Sequence, residues 1–333
     1  MIQKPYLVFL GDVATEPLAK TAFGVRDWLP GEVLGQSRRP GCGVDLGLPE
    51  LTPEQAAQQG ARSLLIGVAP IGGAIPLSWI PSLLAALEAG LDLVSGLHTR
   101  LSDIAPVRET ASRLGRALHD VRHADRVFPI ATGGKRSGKR LLTVGADCAL
   151  GKKYAALAIA RALEAQGVDT DFRATGQTGI MIAGQGVAID ALVADFIAGA
   201  AETLSPDAAD DHWDIIEGQG SLFHPAYAGV TLGLIHGSQP DALVVCHDPL
   251  RKVLHSHAGY PIASLQTVID RNTEAARLTN PAARVVGVSL NTSRMGPAEA
   301  DALMAELEDR HGVPCFDPMR SSLRPLIERM LQP

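Results

Sequence analysis

The chain reads as an α/β protein of two domains, each built on a parallel β-sheet. Three features predict this. Short runs rich in Val, Ile and Leu alternate with helical patterns along the whole chain, the signature of successive βαβ units. The length of 333 residues exceeds what one ordinary core accommodates. A polar segment, Thr132 to Arg140, divides the chain and leads into a strand followed by the glycine-framed loop Gly145 to Lys152.

In the first half the spacing predicts strands over Tyr6–Leu10, Ser63–Ala69 and Leu91–Ser95, with helices near Pro53–Gln59, Leu77–Ala89 and Ile104–His119. Gly11 and Asp12 end the first strand, where a doubly wound sheet takes its ligand. No G-x-G-x-x-G follows, so a dinucleotide site there has little support, and a packing or substrate-binding role is equally open. In the second half, strands are expected over Arg140–Val144, Thr170–Ala174, Trp213–Glu217, Ala242–Cys246 and Arg284–Leu290, with a helix over Lys153–Ala165. The domains are expected at 1–131 and 140–333, joined by a linker at 132–139. No internal repeat or low-complexity tract is present.

Composition excludes several classes of function. The net charge of −6 and isoelectric point near 5.9 give no general attraction to nucleic acid or anionic membrane. The basic run Lys135 to Arg140 is short and reads as a solvated linker. Residues 63–87 carry no charge, but Pro70, Pro76 and Pro81 with Gly67, Gly72 and Gly73 would break a membrane helix repeatedly. The cysteines, Cys42, Cys148, Cys246 and Cys315, form no C-x-x-C pair, which argues against a disulfide framework or zinc ribbon. The apolar stretch at the N-terminus is too short for a signal peptide. A soluble cytoplasmic protein is expected.

The sequence G-x-x-x-x-G-K between a strand and a helix forms a nest of backbone N–H groups at a helix start, suited to a diphosphate. Gly145, Ala146, Asp147, Cys148, Ala149, Leu150, Gly151 and Lys152 form it, with Lys153 and Tyr154 adjoining. Gly133 to Lys139 matches the same pattern but precedes a strand and opens no helix, so it is set aside. Nucleotide hydrolases and kinases place Ser or Thr after the loop lysine to ligate Mg²⁺. Here Lys153 removes that ligand and adds a second cation. A phosphotyrosine-phosphatase loop would need Arg where Tyr154 stands, and is rejected.

Three further loops converge on the same predicted sheet edge. Thr175 to Gly179 offers the hydroxyls of Thr175 and Thr178 and the amide of Gln177, suited to a carboxylate or phosphate. Glu217 ends a strand, as a Walker B acid would, and Ser221, His224 and Tyr227 follow it. His247-Asp248 and His255-x-His257 match no zinc spacing, and no metal is expected. Cys148 is read as filling the turn rather than carrying an acyl group.

The segments Gly145 to Lys153, Ala174 to Gly179, Glu217 to Tyr227 and Gly229 to Gly233 resemble a bacterial and archaeal family long catalogued as of unknown function. That family pairs a Rossmann-like N-terminal domain with a P-loop C-terminal domain, and the resemblance covers nearly the whole chain. It includes D-glutamate N-acetyltransferase, and is distantly similar to dethiobiotin-synthetase-like enzymes. The resemblance implies acetyl-CoA as co-substrate and D-glutamate as acceptor. Residues 145–154 would hold coenzyme A, and Glu217 and His224 are candidate bases alongside Lys152. A substrate with two carboxylates calls for cationic partners, and Arg251, Lys252, Arg294 and Arg100 are candidates beside Thr175, Gln177, Thr178 and Ser221. A homo-oligomer is expected. The rival readings are an ATP-dependent kinase or ligase, opposed by Lys153, and a nucleotide-binding protein without chemistry of its own.

Overall fold

The computed structural model describes every residue except 71, 124–125 and 333. Two compact units form: Met1–Arg126 with Gly176–Ala191, and Val127–Thr175 with Leu192–Pro333.

The first unit contains β1 (Tyr6–Gly11), α1 (Lys20–Trp28), β2 (Val33–Arg38), α2 (Pro53–Gln58), β3 (Ser63–Ile66), α3 (Ile80–Glu88), β4 (Asp92–Ser95), α4 (Ala105–Leu114) and β5 (Leu118–Asp120). The strands form a parallel sheet in the order β2-β1-β3-β4-β5. Every residue of β1 and β3 is buried, which is why both read as continuous apolar runs. The expected helix over Ile104–His119 stops earlier. Gly115, with φ of 62°, caps α4 in the left-handed conformation, and Leu118–Asp120 then pairs with β4. The sequence reading also passed over α1 and β2. β2 has a half-exposed polar sequence, and α1 contains Gly24 and shows its buried face only as Ala22, Val25 and Trp28.

Gly11 and Asp12 prove to have a packing role. A Cβ on Gly11 (φ of 57°) would lie 2.4 Å from the Trp79 ring, so only glycine allows the indole to seat there. Trp79 Nε1 donates to Asp12 Oδ1 at 2.9 Å. The turn after β1 is therefore filled by an indole.

The second unit begins with β6 (Lys139–Gly145), α5 (Lys152–Glu164) and β7 (Thr170–Arg173). The chain then joins the first unit as α6 (Gln177–Ala183). Tyr6 Oη and Lys4 Nζ each donate at 2.8 Å to carbonyls near the end of α6, those of Met181 and Ile182. They satisfy acceptors that a helix end leaves unpaired. This tie places residues 176–191 in the first unit, although the sequence boundary assigned them to the second.

The second unit resumes with α7 (Ile197–Leu204), β8 (Trp213–Ile216), α8 (Ala228–Ser238), β9 (Ala242–His247), β10 (Val253–Leu254), β11 (His257–Pro261), α9 (Leu265–Arg277), β12 (Arg284–Leu290), α10 (Pro297–His311), β13 (Cys315–Phe316) and α11 (Arg324–Leu331). Its main sheet is parallel, in the order β13-β12-β9-β6-β8-β7, so the loop strand β6 lies between β9 and β8. Leu141, Ile215, Val244 and Val286 on four neighbouring strands pack with Ile159 and Leu163 of α5 and Leu326 and Ile327 of α11. Burial of each such side chain stabilises the fold by about 1.5–3 kcal/mol.

The basic run before β6 is not a solvated tether. Arg136 donates to the carbonyls of Glu202 (3.0 Å), Ser205 (2.7 Å), Gly237 (2.6 Å) and Ser238 (3.2 Å), closing the ends of α7 and α8. Burial lowers its pKa to about 10. Arg140 is buried and reaches Ser205 Oγ at 2.8 Å and the Pro206 carbonyl at 2.9 Å. Among the described residues, no helix is long and apolar enough to cross a membrane.

Candidate active site

The loop after β6 turns back through Ala149 (φ of 51°) and Gly151 (φ of 100°) before α5 begins at Lys152. Its centre is Asp147, which has no exposed surface. Asp147 Oδ1 accepts from the Cys148 N–H at 2.6 Å. Oδ2 accepts from Arg251 Nη1 at 2.8 Å and from the His255 N–H at 2.6 Å. Arg251, on the segment between β9 and β10, also donates to the carbonyls of Cys148 (2.7 Å) and Ala149 (3.1 Å). The side chain expected to bind substrate therefore grips the loop, with a carboxylate of this chain as its partner.

Lys152 is buried, and its Nζ donates to the Asp147 carbonyl at 2.7 Å. Burial pulls its pKa down, opposed by the nearby Cys246, Cys148 and Asp147. A phosphate in the loop would offer this ammonium a charged acceptor in place of a carbonyl. Lys153 holds its Nζ 5.2 Å from the Tyr154 ring centroid.

Glu217 follows β8, the strand beside β6. One of its carboxylate oxygens accepts from the Thr175 N–H at 3.0 Å, and its own carbonyl accepts from the Thr175 hydroxyl. Gly218 lets the turn after Glu217 pass close against β6 and the start of α5. A Cβ there would lie 1.6 Å from the Thr143 carbonyl and 3.1 Å from Lys152 Cδ. The Gly218 N–H donates to Thr143 Oγ1 at 2.9 Å, and that hydroxyl donates to the Lys152 carbonyl at 3.2 Å. Thr143 thus ties strand β6, the start of α5 and the Glu217 turn together.

His224 is buried on the turn before α8. Its Nδ1 accepts from the Ala226 N–H at 3.2 Å, so the neutral ring carries its proton on Nε2, which faces the His255 carbonyl at 3.4 Å. Tyr227 stacks on it at 4.6 Å, and His257 meets it edge-on at the same distance. Tyr260 stands 6.1 Å beyond His257. Asp147, Cys148 and His224 offer ligand atoms within 4.8 Å of one another. A cation there would compete with Arg251 and two N–H groups for Asp147, and burial pushes the Cys148 thiol pKa up, holding it protonated.

The second unit thus gathers Lys152, Asp147, Cys148, Arg251, Glu217, Thr175 and His224 at the carboxyl end of its sheet. Ser221 is buried and its hydroxyl accepts from the Phe223 N–H at 3.2 Å, holding the turn. Arg294 pairs with Asp248 at 2.8 Å and is otherwise exposed. Arg100, Gln177 and Thr178 belong to the first unit. Sequence reasoning included Asp147 in the loop without seeing its grip on Arg251, and weighed His257 only as a metal ligand. The hairpin of β10 and β11, which carries His257 and Tyr260, has no apolar run to announce it.

Two family models match: a domain of unknown function, DUF1611_C, described as a P-loop domain, over residues 129–327, and DUF1611_N, described as a Rossmann-like domain, over 37–124. The chain is 49% identical over 330 residues to the D-glutamate N-acetyltransferase of Tritonibacter scottomollicae, covering 99% of each chain. It is 45% identical over 331 residues to the protein of the same name from a Pseudoalteromonas species, again covering 99% of each. A crystal structure of a DUF1611 family protein from Anabaena variabilis superposes with a TM-score of 0.88 at 32% identity, covering 99% of this chain and 100% of that one. With its Rossmann-like and P-loop domains both matched, and relatives aligned from end to end, this chain belongs to the DUF1611 family.

Proposed function

We propose that this protein is a D-glutamate N-acetyltransferase that takes its acetyl group from acetyl-CoA. The observation that carries the reading is the end-to-end identity with two proteins of that name. The loop chemistry agrees: a diphosphate nest with Lys152 and Lys153, and no hydroxyl after the loop lysine to ligate Mg²⁺.

The loop from Gly145 to Tyr154 holds the diphosphate of coenzyme A. The neutral amine attacks the thioester carbon, the C–N bond forms, the C–S bond breaks, and the coenzyme A thiolate leaves and is protonated. Glu217, oriented by Thr175, takes the proton from the amine, a role worth about 10²–10⁴-fold. His224 is not set up as the base, because Nδ1 already accepts a hydrogen bond. Its Nε2–H faces the His255 carbonyl, so the oxyanion of the thioester takes its donors from backbone N–H groups of the glycine-rich loops, where one donor is worth about 10²–10³-fold. The transfer is direct and needs no metal. The protein works in the cytoplasm as a homo-oligomer.

The test is to mix the protein with acetyl-CoA and a panel of D- and L-amino acids and follow thiol release without added Mg²⁺. Release with D-glutamate is expected. Phosphate release from ATP with no thiol release overturns the reading.

A further inference from the structure

The turn before α8 and the β10–β11 hairpin set a row of four aromatic side chains beside the loop, all within the second unit. His224 starts the row, with a ring nitrogen within 4.8 Å of a carboxylate oxygen of Asp147 and of Cys148 Sγ. Tyr227 stacks on the His224 ring at an inclination of 25°, and His257 meets that ring edge-on. Tyr260 stands edge-on to His257, one ring further out.

Burial falls along the row. His224 is 1% exposed, whereas Tyr227 and Tyr260 are 48% and 50% exposed. Leu250, ahead of the hairpin, and Val253, at its start, are exposed as well. Covering such ring and apolar surface is favourable. A two-stranded hairpin is marginal by itself, but this one is tied to the loop, because the His255 N–H donates to Asp147 Oδ2 at 2.6 Å. Asp147 therefore fixes the loop and the hairpin together.

The sheet order decides which part of a coenzyme meets this row. β6 lies between β9 and β8, the hairpin follows β9, and Glu217 follows β8. With the diphosphate on the loop after β6, the thioester runs toward Glu217, which leaves the β9 side for the adenosine. A planar base matches an exposed ring face, whereas the pantetheine arm is a flexible chain of amides.

We propose that Tyr227 and Tyr260 hold the adenine of coenzyme A by stacking. The proposal rests on acetyl-CoA as the donor and names where its adenosine end binds. Tyr227 is already held by its stack on the buried His224 ring, so it loses little side-chain freedom on binding.

The experiment is calorimetric titration of coenzyme A into the full-length protein, run beside thiol release from acetyl-CoA and from acetyl-phosphopantetheine, which lacks the adenosine. Tyr227→Ala and Tyr260→Ala should each weaken coenzyme A binding about tenfold, equivalent to about 1.4 kcal/mol, in line with base–aromatic stacking. Tyr227→Phe and Tyr260→Phe keep the ring face and should bind as the parent does. The kcat/KM for acetyl-phosphopantetheine should stay unchanged in all four variants, which a loosened turn or hairpin would not allow. Unchanged coenzyme A binding in both Ala variants, a loss that Phe fails to restore, or an equal loss with both donors overturns the adenine assignment and leaves the activity standing. An absence of coenzyme A binding by the parent protein overturns the donor and the assignment together.

Discussion

Replacing Arg251 by Met separates its role as a loop clamp from a role in binding substrate. Arg251 makes three hydrogen bonds to the loop, one to Asp147 and two to backbone carbonyls, with its side chain 19% exposed and that of Asp147 fully buried. Removing it leaves a buried carboxylate held only by the N–H groups of Cys148 and His255. Breaking a fully buried pair costs about 3–5 kcal/mol. The two remaining donors and the partial exposure of Arg251 reduce this to about 2–3 kcal/mol. For units of 150–250 residues each kcal/mol moves the midpoint by about 2–4 °C, so thermal unfolding should shift down by about 4–12 °C. Acetyl-CoA affinity should fall with it, because the loop carbonyls lose their anchor. Asp147→Asn added to Arg251→Met should recover part of the loss, since the stranded charge is then gone. Scanning calorimetry and the two KM values provide the readout. A midpoint within about 1 °C of the parent, with only the D-glutamate KM raised, would refute the clamp and make Arg251 a substrate ligand.

Glu217→Gln should lower kcat by about 10²–10⁴-fold with little change in acetyl-CoA affinity; a collapse of that affinity would mean that Glu217 braces the loop. Cys148→Ala and chelator treatment should both leave thiol release intact, and a stable acetyl adduct on Cys148 by mass spectrometry would contradict direct transfer. His212 lies between Asp169 (2.8 Å) and Asp214 (3.2 Å), with Asp171 at 3.9 Å. Burial, the largest influence, disfavours its charge, yet the carboxylates outweigh it and raise the pKa. The folded chain then holds this proton more tightly than the unfolded chain. The stabilisation is full below the unfolded value of about 6.5 and is lost as pH rises through the raised folded value. His212→Gln should flatten the decline of the unfolding temperature in that window, and an unchanged slope would remove His212 as its cause.

Much of the sheet edge that carries the loop was legible in the sequence because its signals are local. A buried parallel strand shows as an apolar run, so β1, β3 and β12 were readable; Arg284–Leu290 agrees at both ends. The glycine spacing and the lysine of the loop lie within one strand–loop–helix stretch, and Glu217 stands one residue after a strand that reads plainly as Trp-Asp-Ile-Ile. Where burial is partial, as in β2, or the strand is as short as β5, periodicity has too few residues to register.

What the sequence determined by itself is the βαβ rhythm, the P-loop and the acid at the neighbouring strand end, each encoded within one strand–loop–helix stretch. Only the tertiary structure decided which groups spend their hydrogen bonds on one another. Arg251 meets Asp147 across 104 positions, and Arg136 reaches Ser238 across 102. Residues 176–191 join the first unit through Lys4 and Tyr6. Such pairings leave no periodic trace in the chain, because a buried cation or carbonyl is satisfied by whichever partner the packing brings within reach.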